Sequence, residues 1–442
     1  MAIPSAAKRL AGTWSAIGEV VRLLYNLLIY LLQIPVAGYW LLRALINRSY
    51  REGLGQRFGI GYPQLDKCIW IHAVSVGEVQ AAVPLIREFG QRFPNHNMLI
   101  TTVTPTGAAR VRAVFGDSVS HCFIPFEMPL AVDKFFSSVN PELAMIMETE
   151  IWPNLYQGCG VRDIPLILVS ARISPRSVDS YRRLLPLFRD TLSHGIIIAA
   201  QSEADADRFR SLGASPVRTW VTGNIKFDIE LPADLAERGV EFRQQTFGDR
   251  PVWIAASTHD QEEQQVLSAH KRLLKTHPEL LLVLVPRHPE RFAAVSELID
   301  KEGLQQVART EMRVCNPSTR VFLGDTMGEV PLFYAASDIA FVGGSLVPIG
   351  GHNMLEPAAL GLPVISGPHV YNAQEISDMF IELGACKIVA DASQLVAAVD
   401  ELLANRSVAA ERGRKGRDIV QRNRGALQRL LDLLEPLIGD EN

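Results

Sequence analysis

The sequence predicts an α/β fold with two doubly wound domains, a cleft between them and an apolar helix at the N-terminus. Three observations support this prediction. Short apolar strands alternate with helical patterns, and the alternation starts twice, at residues 68 and 252, as expected for βαβ units around parallel sheets. The 442 residues are too many for one ordinary core. Twenty residues without a charge lie between Arg22 and Arg43.

Composition excludes several classes of protein. A hydrophobic content of 48% with 21% charged residues is typical of a packed globular chain. The net charge of −4 argues against a general nucleic-acid binder. The five cysteines are odd in number, widely spaced and without a CxxC pair, which predicts a reducing compartment, no structural zinc and five small core residues.

The uncharged run 23–42 is long enough to cross a hydrocarbon core as a helix. Asn26, Gln33 and Pro35 interrupt the run, so a tilted or shallow anchor is an alternative to a clean span. Arginines follow the run where a signal peptide needs a small-residue cleavage site. They also favour a cytoplasmic location for the rest of the chain. We predict a single membrane anchor over residues 1–47.

The first domain is predicted over residues 48–225. Its expected strands lie at 68–72, 97–103, 119–124, 142–148, 165–170, 195–200 and 217–222. Residues 77–93 form an amphipathic helical pattern after the first strand. The polar stretch 226–250 shows no strand pattern and is interpreted as the interdomain connection.

The second domain is predicted over residues 251–442. Its expected strands lie at 252–256, 280–286, 320–323, 338–342, 363–366 and 386–390. Leucines at helical spacing within 407–438 predict a helix that covers this domain.

The stretch 338–368 carries the strongest functional signal. A buried strand ends in Gly343-Gly344-Ser345, and Gly350-Gly351-His352-Asn353 then opens a helical segment at 354–360. Glycines let a ligand approach the backbone, and the N–H groups of a helix start attract phosphate. Glu356 can accept hydrogen bonds from ribose hydroxyls. The pattern predicts a nucleotide site; the alternative is an ordinary connection capped by glycines.

Charged residues follow several strands of the first domain. Glu78 starts the helix after strand 68–72, either as a general base or as a favourable charge at the helix dipole. Strand 142–148 ends in Glu148, with Glu150 two residues on. Lys226 lies at the domain junction, where a solvated lysine beside Asp228 is the alternative to a functional one.

Two further positions stand at strand ends of the second domain. Arg287 follows strand 280–286 and Pro286, where it can hold a phosphate by two contacts or pair with Glu290. Met327-Gly328-Glu329 follows strand 320–323 and opens another helix. Asp205 and Asp207 form a DxD pattern, but it lies inside a helical stretch and is interpreted as a solvated face.

Six motifs together resemble those of the bacterial 3-deoxy-D-manno-oct-2-ulosonic acid (Kdo) transferases. They occur in order from the anchor to the last strands: HAVSVGE (72–78), METEIWPN (147–154), TGNIKFD (222–228), PRHPERF (286–292), DTMGE (325–329) and GGHNMLEP (350–357). The resemblance implies a GT-B-like architecture of two Rossmann-like domains, the first binding the acceptor and the second binding CMP-Kdo. It also implies transfer of Kdo to the lipid A precursor lipid IVA in lipopolysaccharide biosynthesis, at the cytoplasmic face of the inner membrane.

The resemblance also implies roles for individual residues. Glu78 would be the proton acceptor, and Glu148 and Lys226 would stabilise the transition state. An inverting displacement would follow, with CMP-Kdo as donor substrate and neither a cofactor nor a metal. The residues that would contact CMP are Pro286, Arg287, Met327, Gly328, Glu329, Asn353, Met354, Leu355 and Glu356.

Two other functions fit parts of the sequence. A membrane-associated GT-B transferase that uses a UDP-sugar would share the glycine-rich loop and the acid. A non-catalytic, anchored nucleotide-binding regulator would need Glu78 only as a charge at the helix start. The motifs HAVSVGE and METEIWPN argue against the first of these alternatives.

Overall fold

The computed structural model describes residues 5–193 and 195–438. The chain divides into two compact units. The first unit runs as far as Asp228 and includes the chain again from Arg424, and the second unit is Ile229–Asn423.

The first unit is built on a seven-stranded parallel sheet within the described residues, ordered β3-β2-β1-β4-β5-β6-β7. The strands are β1 (Cys68–His72), β2 (Met98–Thr102), β3 (Ser120–Phe123), β4 (Pro141–Met147), β5 (Leu166–Ala171), β6 (Ile197–Ala200) and β7 (Thr219–Val221). Each strand runs parallel to its neighbour, and β1 pairs with both β2 and β4.

Helices connect these strands and cover both faces of the sheet. They are α1 (Ser5–Ile46), α2 (Val76–Arg92), α3 (Pro105–Phe115), α4 (Pro129–Val139), α5 (Pro153–Gly160), α6 (Pro175–Arg182), α7 (Leu185–Ser193) and α8 (Glu203–Ser211). Alternate residues of β1 therefore enter different cores. Cys68 and Trp70 belong to one cluster, and Ile69 and Ile71 belong to the other. This is why the strand is apolar throughout.

The second unit repeats the plan with the strand order β10-β11-β9-β8-β12-β13-β14. Its strands are β8 (Val252–Thr258), β9 (Leu281–Pro286), β10 (Gln306–Ala308), β11 (Val321–Leu323), β12 (Ile339–Val342), β13 (Val364–Ser366) and β14 (Cys386–Ile388). Its helices are α9 (Leu235–Thr246), α10 (Glu262–Leu273), α11 (Phe292–Lys301), α12 (Val330–Ala335), α13 (Leu355–Ala359), α14 (Gln374–Glu382), α15 (Ala392–Ala404) and α16 (Arg406–Asn423).

The strands predicted from the sequence are all present, with ends that differ by a few residues. The short strand β10 was not predicted. It offers only three residues, of which Val307 alone is buried, so its sequence lacks a clear strand pattern. All five cysteines are buried and unpaired, as predicted.

The interpretation of 226–250 as a connection is wrong over much of its length. Residues Leu235–Thr246 form α9, which belongs to the second unit. Gly239 lets α9 pack closely against α12, because a Cβ at residue 239 would lie 2.4 Å from the Cβ of Ala335. The packing of α9 uses one glycine and few apolar side chains. Its mostly polar sequence therefore gave no clear amphipathic helical pattern.

The C-terminal segment also differs from the prediction. A single covering helix was expected at 407–438, but the chain turns at Gly425, whose φ is +86°. The last helix, α17 (Ala426–Leu434), belongs to the first unit and not to the second. Its Leu430 and Leu434 pack in the same core as Ile225. The first unit therefore includes both ends of the chain.

Within the predicted anchor, residues 1–47, helix α1 covers Ser5–Ile46, and residues 1–4 lie outside the described part of the chain. Over Val20–Ile46, α1 is long and apolar enough to cross a membrane, judged by length and composition alone. The anchor was predicted as a segment separate from the first domain, whereas the first unit includes it. Polar side chains of α1 contact α5, α7 and the loop before α4, as described below.

Candidate active site

Loops of the first unit carry acidic residues at the point where strand order reverses, between β1 and β4. Chains leaving two adjacent parallel strands in opposite directions open a crevice at their carboxyl ends. Glu78 follows β1, and Glu148 follows β4 directly. The sheet thus brings the motifs 72–78 and 147–154 to adjacent strand ends.

Glu78 lies in the first turn of α2. Its carboxylate accepts hydrogen bonds from the Val74 backbone N–H at 2.8 Å and from the Ser75 hydroxyl at 3.3 Å. Burial raises the pKa of Glu78 to about 7, the Val74 N–H opposes that rise, and the charges of Glu148 and Glu150 add to it. The carboxylate can therefore gain and lose a proton near neutral pH, as a general base requires.

Glu148 is held by two cations. Lys226 Nζ donates to one carboxylate oxygen at 2.6 Å, and Arg172 Nε donates to the other at 2.9 Å. Burial favours the neutral acid, but Lys226 and Arg172 outweigh it and the pKa of Glu148 is lowered. The Glu148 backbone is in the left-handed region, with φ at +56°, a conformation that costs free energy in a non-glycine residue. Lys226 is therefore not a solvated lysine.

Residues that the sequence did not single out complete this edge of the sheet. Arg172, which binds Glu148, follows β5. Trp152 donates to Glu150 at 2.7 Å, and burial raises the pKa of Glu150. Trp152 also packs edge-on against His72, the last residue of β1. Because Arg172 follows β5 and Glu148 follows β4, no local sequence pattern predicts that the two side chains form an ion pair.

The buried carboxylate of Glu127 binds the C-terminal end of the 148–154 loop. Glu127 accepts from the backbone N–H groups of Asn154 at 2.8 Å and Leu155 at 3.1 Å, at the start of α5. Tyr25 of α1 donates to the same carboxylate at 2.9 Å. Burial raises the pKa of Glu127 to about 7 against these donors. The loop that carries Glu148 is thereby fixed at its far end.

The residues predicted to contact CMP lie at the carboxyl edge of the second sheet. Arg287 follows β9, and its side chain is exposed. Among the described residues it forms no ion pair with Glu290, the alternative raised by the sequence; the neighbouring Arg291 pairs instead with Asp260 at 2.9 Å and Glu263 at 3.2 Å. Pro286 is the buried last residue of β9. Arg287 is therefore available to an anion.

The turn Met327-Gly328-Glu329 connects β11 to α12. Met327 is exposed, and Gly328 has φ at +83°. Glu329 accepts from Arg309 at 2.8 Å and from the Thr326 hydroxyl, so that, although burial opposes it, the pKa of Glu329 is lowered. The turn presents backbone and an apolar side chain, with its carboxylate already paired.

The segment 353–356 opens α13. Asn353 accepts from the Leu355 N–H at 3.0 Å and donates to Glu356 at 3.1 Å. Burial raises the pKa of Glu356, opposed by Asn353 and by the charge of Arg287. Met354 and Leu355 are both 2% exposed. Their side chains pack in the core, as the sequence indicated for Met354, so only their backbone can meet a ligand.

In the 338–368 stretch, backbone N–H groups that follow β12 bind a protein carboxylate. Glu262, which is completely buried, accepts from the N–H groups of Gly344 at 2.7 Å, Ser345 at 3.0 Å and Leu346 at 2.9 Å. These three donors are therefore occupied by a protein carboxylate and are not open to a ligand. The helix that follows, α13, has only five residues, so its dipole is also weaker than expected.

A pair of histidines lies beside this loop. His259 follows β8, and its Nε2 is 2.8 Å from Nε2 of His352, with the two rings stacked. Burial, together with the neighbouring His259 and Arg287, lowers the pKa of His352 to about 3. Gly344 makes room for the ring, because a Cβ there would lie 2.8 Å from it. Sequence reasoning missed His259 and Glu262, whose partners are more than 80 residues away.

Comparison with known proteins connects this geometry to a family. Residues 52–229 match the family model described as 3-deoxy-D-manno-octulosonic-acid transferase (kdotransferase), and residues 251–419 match glycosyl transferases group 1. The chain is 42% identical over 422 residues to a 3-deoxy-D-manno-octulosonic acid transferase of Haemophilus influenzae, covering 94% of this chain and 99% of that one. The chain belongs to the Kdo transferase family.

A second relative agrees with this assignment, and a solved structure shares the fold. The Bordetella pertussis 3-deoxy-D-manno-octulosonic acid transferase is 34% identical, over 84% of this chain and 87% of its own. The UDP-GlcNAc 2-epimerase of Neisseria meningitidis, bound to UDP-GlcNAc, is 14% identical with a TM-score of 0.53, covering 83% of this chain and all of its own. That likeness concerns the fold alone. The enzyme is a glycosyltransferase with the two α/β domains of a GT-B fold, as predicted.

Proposed function

We propose that the enzyme transfers Kdo from CMP-Kdo to the lipid A precursor lipid IVA in lipopolysaccharide biosynthesis, at the cytoplasmic face of the inner membrane. Membership of the Kdo transferase family supports the sugar. The observation that carries the mechanism is the placement of Glu78 beside the Glu148–Lys226 ion pair at the strand-order reversal.

Glu78 is the proposed general base. An acceptor hydroxyl is a weak nucleophile until its proton has an acceptor, and a placed base contributes about 10²–10⁴-fold to the rate. A pKa near 7 leaves a large fraction of Glu78 ionised at neutral pH and makes it basic enough to accept that proton. The attacking oxygen then bonds to C2 of Kdo, the bond from C2 to the CMP phosphate breaks, and the configuration at C2 inverts.

Glu148 and Lys226 are the proposed transition-state residues. The Kdo centre becomes positive as its bond to CMP breaks, and the ionised Glu148 can offset that charge. Lys226 and Arg172 keep Glu148 ionised and oriented, although it is 9% exposed.

In the second unit, Arg287 is the proposed phosphate ligand and Glu356 the proposed ribose acceptor. Pro286, Met327 to Glu329 and Asn353 to Leu355 would complete the CMP contacts, the last two residues through their backbone. Neither a cofactor nor a metal is required by this proposal.

The proposal is tested by measuring CMP release from CMP-Kdo with and without lipid IVA. Release that depends on the lipid acceptor is expected. UDP release from a UDP-sugar without any CMP release from CMP-Kdo, or CMP binding without turnover, would favour the other functions that the sequence allowed.

A further inference from the structure

From Arg22 onward, helix α1 packs against the rest of the first unit along one face, and this face carries Arg22, Asn26 and Gln33. From Arg22 onward, the residues of α1 that are buried or half-buried recur every three or four positions, which places them on one stripe of the helix. We call this stripe the docked face. It consists of Arg22, Tyr25, Asn26, Ile29, Gln33, Val36, Ala37, Trp40 and Ala44.

The docked face is bonded to the first unit near both of its ends. At the beginning, Arg22 forms a salt bridge with Asp190 of α7, and Asn154 of α5 donates to Asn26 at 2.8 Å. Near the other end, the guanidinium of Arg57 lies 4.0 Å from the centre of the Trp40 ring. The helix is therefore fixed over its length and not at one point.

The opposite side of α1 is apolar and exposed. Its large side chains are between 46% and 80% exposed: Leu23, Leu24, Leu27, Leu28, Leu31, Leu32, Ile34, Leu41, Leu42, Leu45 and Ile46. A helix of a soluble protein has the reverse arrangement, with apolar residues toward the core. Polar residues toward the protein and leucines outward suit a helix whose outer surroundings are hydrocarbon.

The docked face constrains how α1 can sit in a membrane. From Arg22 to Ala44 the helix extends about 33 Å at 1.5 Å per residue, close to the thickness of a hydrocarbon core, about 30 Å. A crossing helix that stayed docked would carry Glu127 and Arg57, which contact Tyr25 and Trp40 within this stretch, into that core. Charged groups are costly there. Docking and spanning are therefore incompatible.

We propose that α1 lies in the plane of the membrane interface, and that its docked face positions the loop carrying Glu148. The inference rests on the proposed membrane location. The leucine side faces the acyl chains, and exposed Arg43, Arg48 and Arg51 meet the lipid headgroups. Tyr25 and Asn26 are positioning residues, because they bind Glu127 and Asn154 at the far end of the 148–154 loop.

Depth measurement tests the orientation. Leu24, Leu31 and Leu42 all lie on the outward side, and they are 61%, 64% and 56% exposed. Each is changed to cysteine in the full chain and labelled with a fluorophore; the natural cysteines are buried and should not react. The protein is bound to vesicles of phosphatidylethanolamine and phosphatidylglycerol that contain lipids brominated at known depths. Val217, 78% exposed, is the control position outside the membrane.

An in-plane helix predicts the same shallow depth at all three positions, and no quenching at Val217. A deep central label, with the two end labels on opposite sides of the bilayer, would overturn the inference and leave the proposed Kdo transfer intact. Absence of quenching at all three positions would overturn the inference and the membrane location together. Lipid-dependent CMP release, measured on the same preparation, tests the transfer reaction separately.

The positioning role is tested by Asn26→Leu and Tyr25→Phe, with Leu27→Ile on the outward side as the control. Both test changes make α1 more apolar, so vesicle binding should not weaken. Turnover should fall about tenfold to a hundredfold, as expected when a reacting group is slightly misplaced. The acid limb of the pH–rate profile should shift, because the charges of Glu148 and Glu150 act on the pKa of Glu78 and depend on where the loop holds them. Parental turnover and an unmoved pH profile in both variants would overturn the positioning role.

Discussion

At the residue scale, the surroundings of Glu78 explain why one carboxylate can serve two roles. Its bonds to Val74 and Ser75 are those of a helix-start residue, the alternative that the sequence left open. Its raised pKa, caused by burial and then by two other glutamates, is what a base needs. The sequence predicted the position of this residue but could not predict its pKa, because Glu148 and Glu150 come from another strand end.

The pH dependence of the reaction follows from these neighbours. A base must be ionised, so kcat/KM should fall as the pH drops below about 7, the pKa of Glu78. Glu150→Gln removes one negative charge that favours the protonated acid. The acid limb of its pH–rate profile should therefore lie at lower pH than that of the parent enzyme. A limb that stays in place, or moves upward, would contradict the assignment of this limb to Glu78.

Donor binding tests the second unit. Arg287→Ala should weaken CMP binding by about 1.5–3 kcal/mol, the value of a hydrogen bond to a charged group. Glu356→Gln should also weaken it, because the ribose hydroxyls lose a charged acceptor. Titration calorimetry with CMP measures both, and Lys301→Ala, an exposed cation on α11, is the control. Unchanged affinity in both variants would place the nucleotide elsewhere.

At the element scale, the conformation of a loop depends on distant residues that bind it, and local sequence patterns do not identify those residues. The glycine-rich stretch was correctly placed after a strand, yet Glu262 of α10 accepts hydrogen bonds from the N–H groups of Gly344, Ser345 and Leu346 in that stretch. Helix α9 was missed because its packing depends on Gly239, and α17 was assigned to the wrong unit because leucine spacing predicts a buried face but not its partner. Local periodicity thus predicts elements better than it predicts their contacts.

Glu262 provides the test at this scale. Glu262→Ala should lower the free energy of unfolding by at least about 3 kcal/mol, because several buried N–H groups lose a charged acceptor together. Glu262→Gln keeps one acceptor oxygen and should cost less. Urea denaturation of both variants measures the difference. Equal stability of Glu262→Ala and the parent would show that the loop does not depend on this carboxylate.

At the scale of the whole molecule, both ends of the chain belong to the first unit, while the proposed donor residues all lie in the second. The prediction of a membrane anchor over residues 1–47 that is separate from the first domain therefore needs revision. Docking through Tyr25, Asn26 and Trp40 makes α1 a structural part of the acceptor-side unit.

A chain that begins at Arg48 should still bind CMP with parental affinity. Its first unit should unfold at a lower temperature than that of the full chain. Glu127 loses the hydrogen bond from the Tyr25 hydroxyl, and Arg57 loses its cation–π contact with Trp40. Calorimetry and thermal unfolding measure the two effects. If unfolding is unchanged and turnover on detergent-dispersed lipid is complete, α1 is an anchor only.

The central claim is that Glu78 is the base in transfer of Kdo to lipid, and mass analysis of lipid IVA after incubation with CMP-Kdo tests it most directly. The parent enzyme should yield lipid IVA heavier by Kdo. Glu78→Gln keeps the hydrogen-bonding reach of the side chain but cannot accept the proton. It should lose most product, within the range of about 10²–10⁴-fold, while CMP affinity and thermal stability stay close to the parent. Glu88→Gln, on the same helix and paired with Arg92, is the control. Near-parental product from Glu78→Gln, or no Kdo on the lipid with the parent enzyme, would contradict the account.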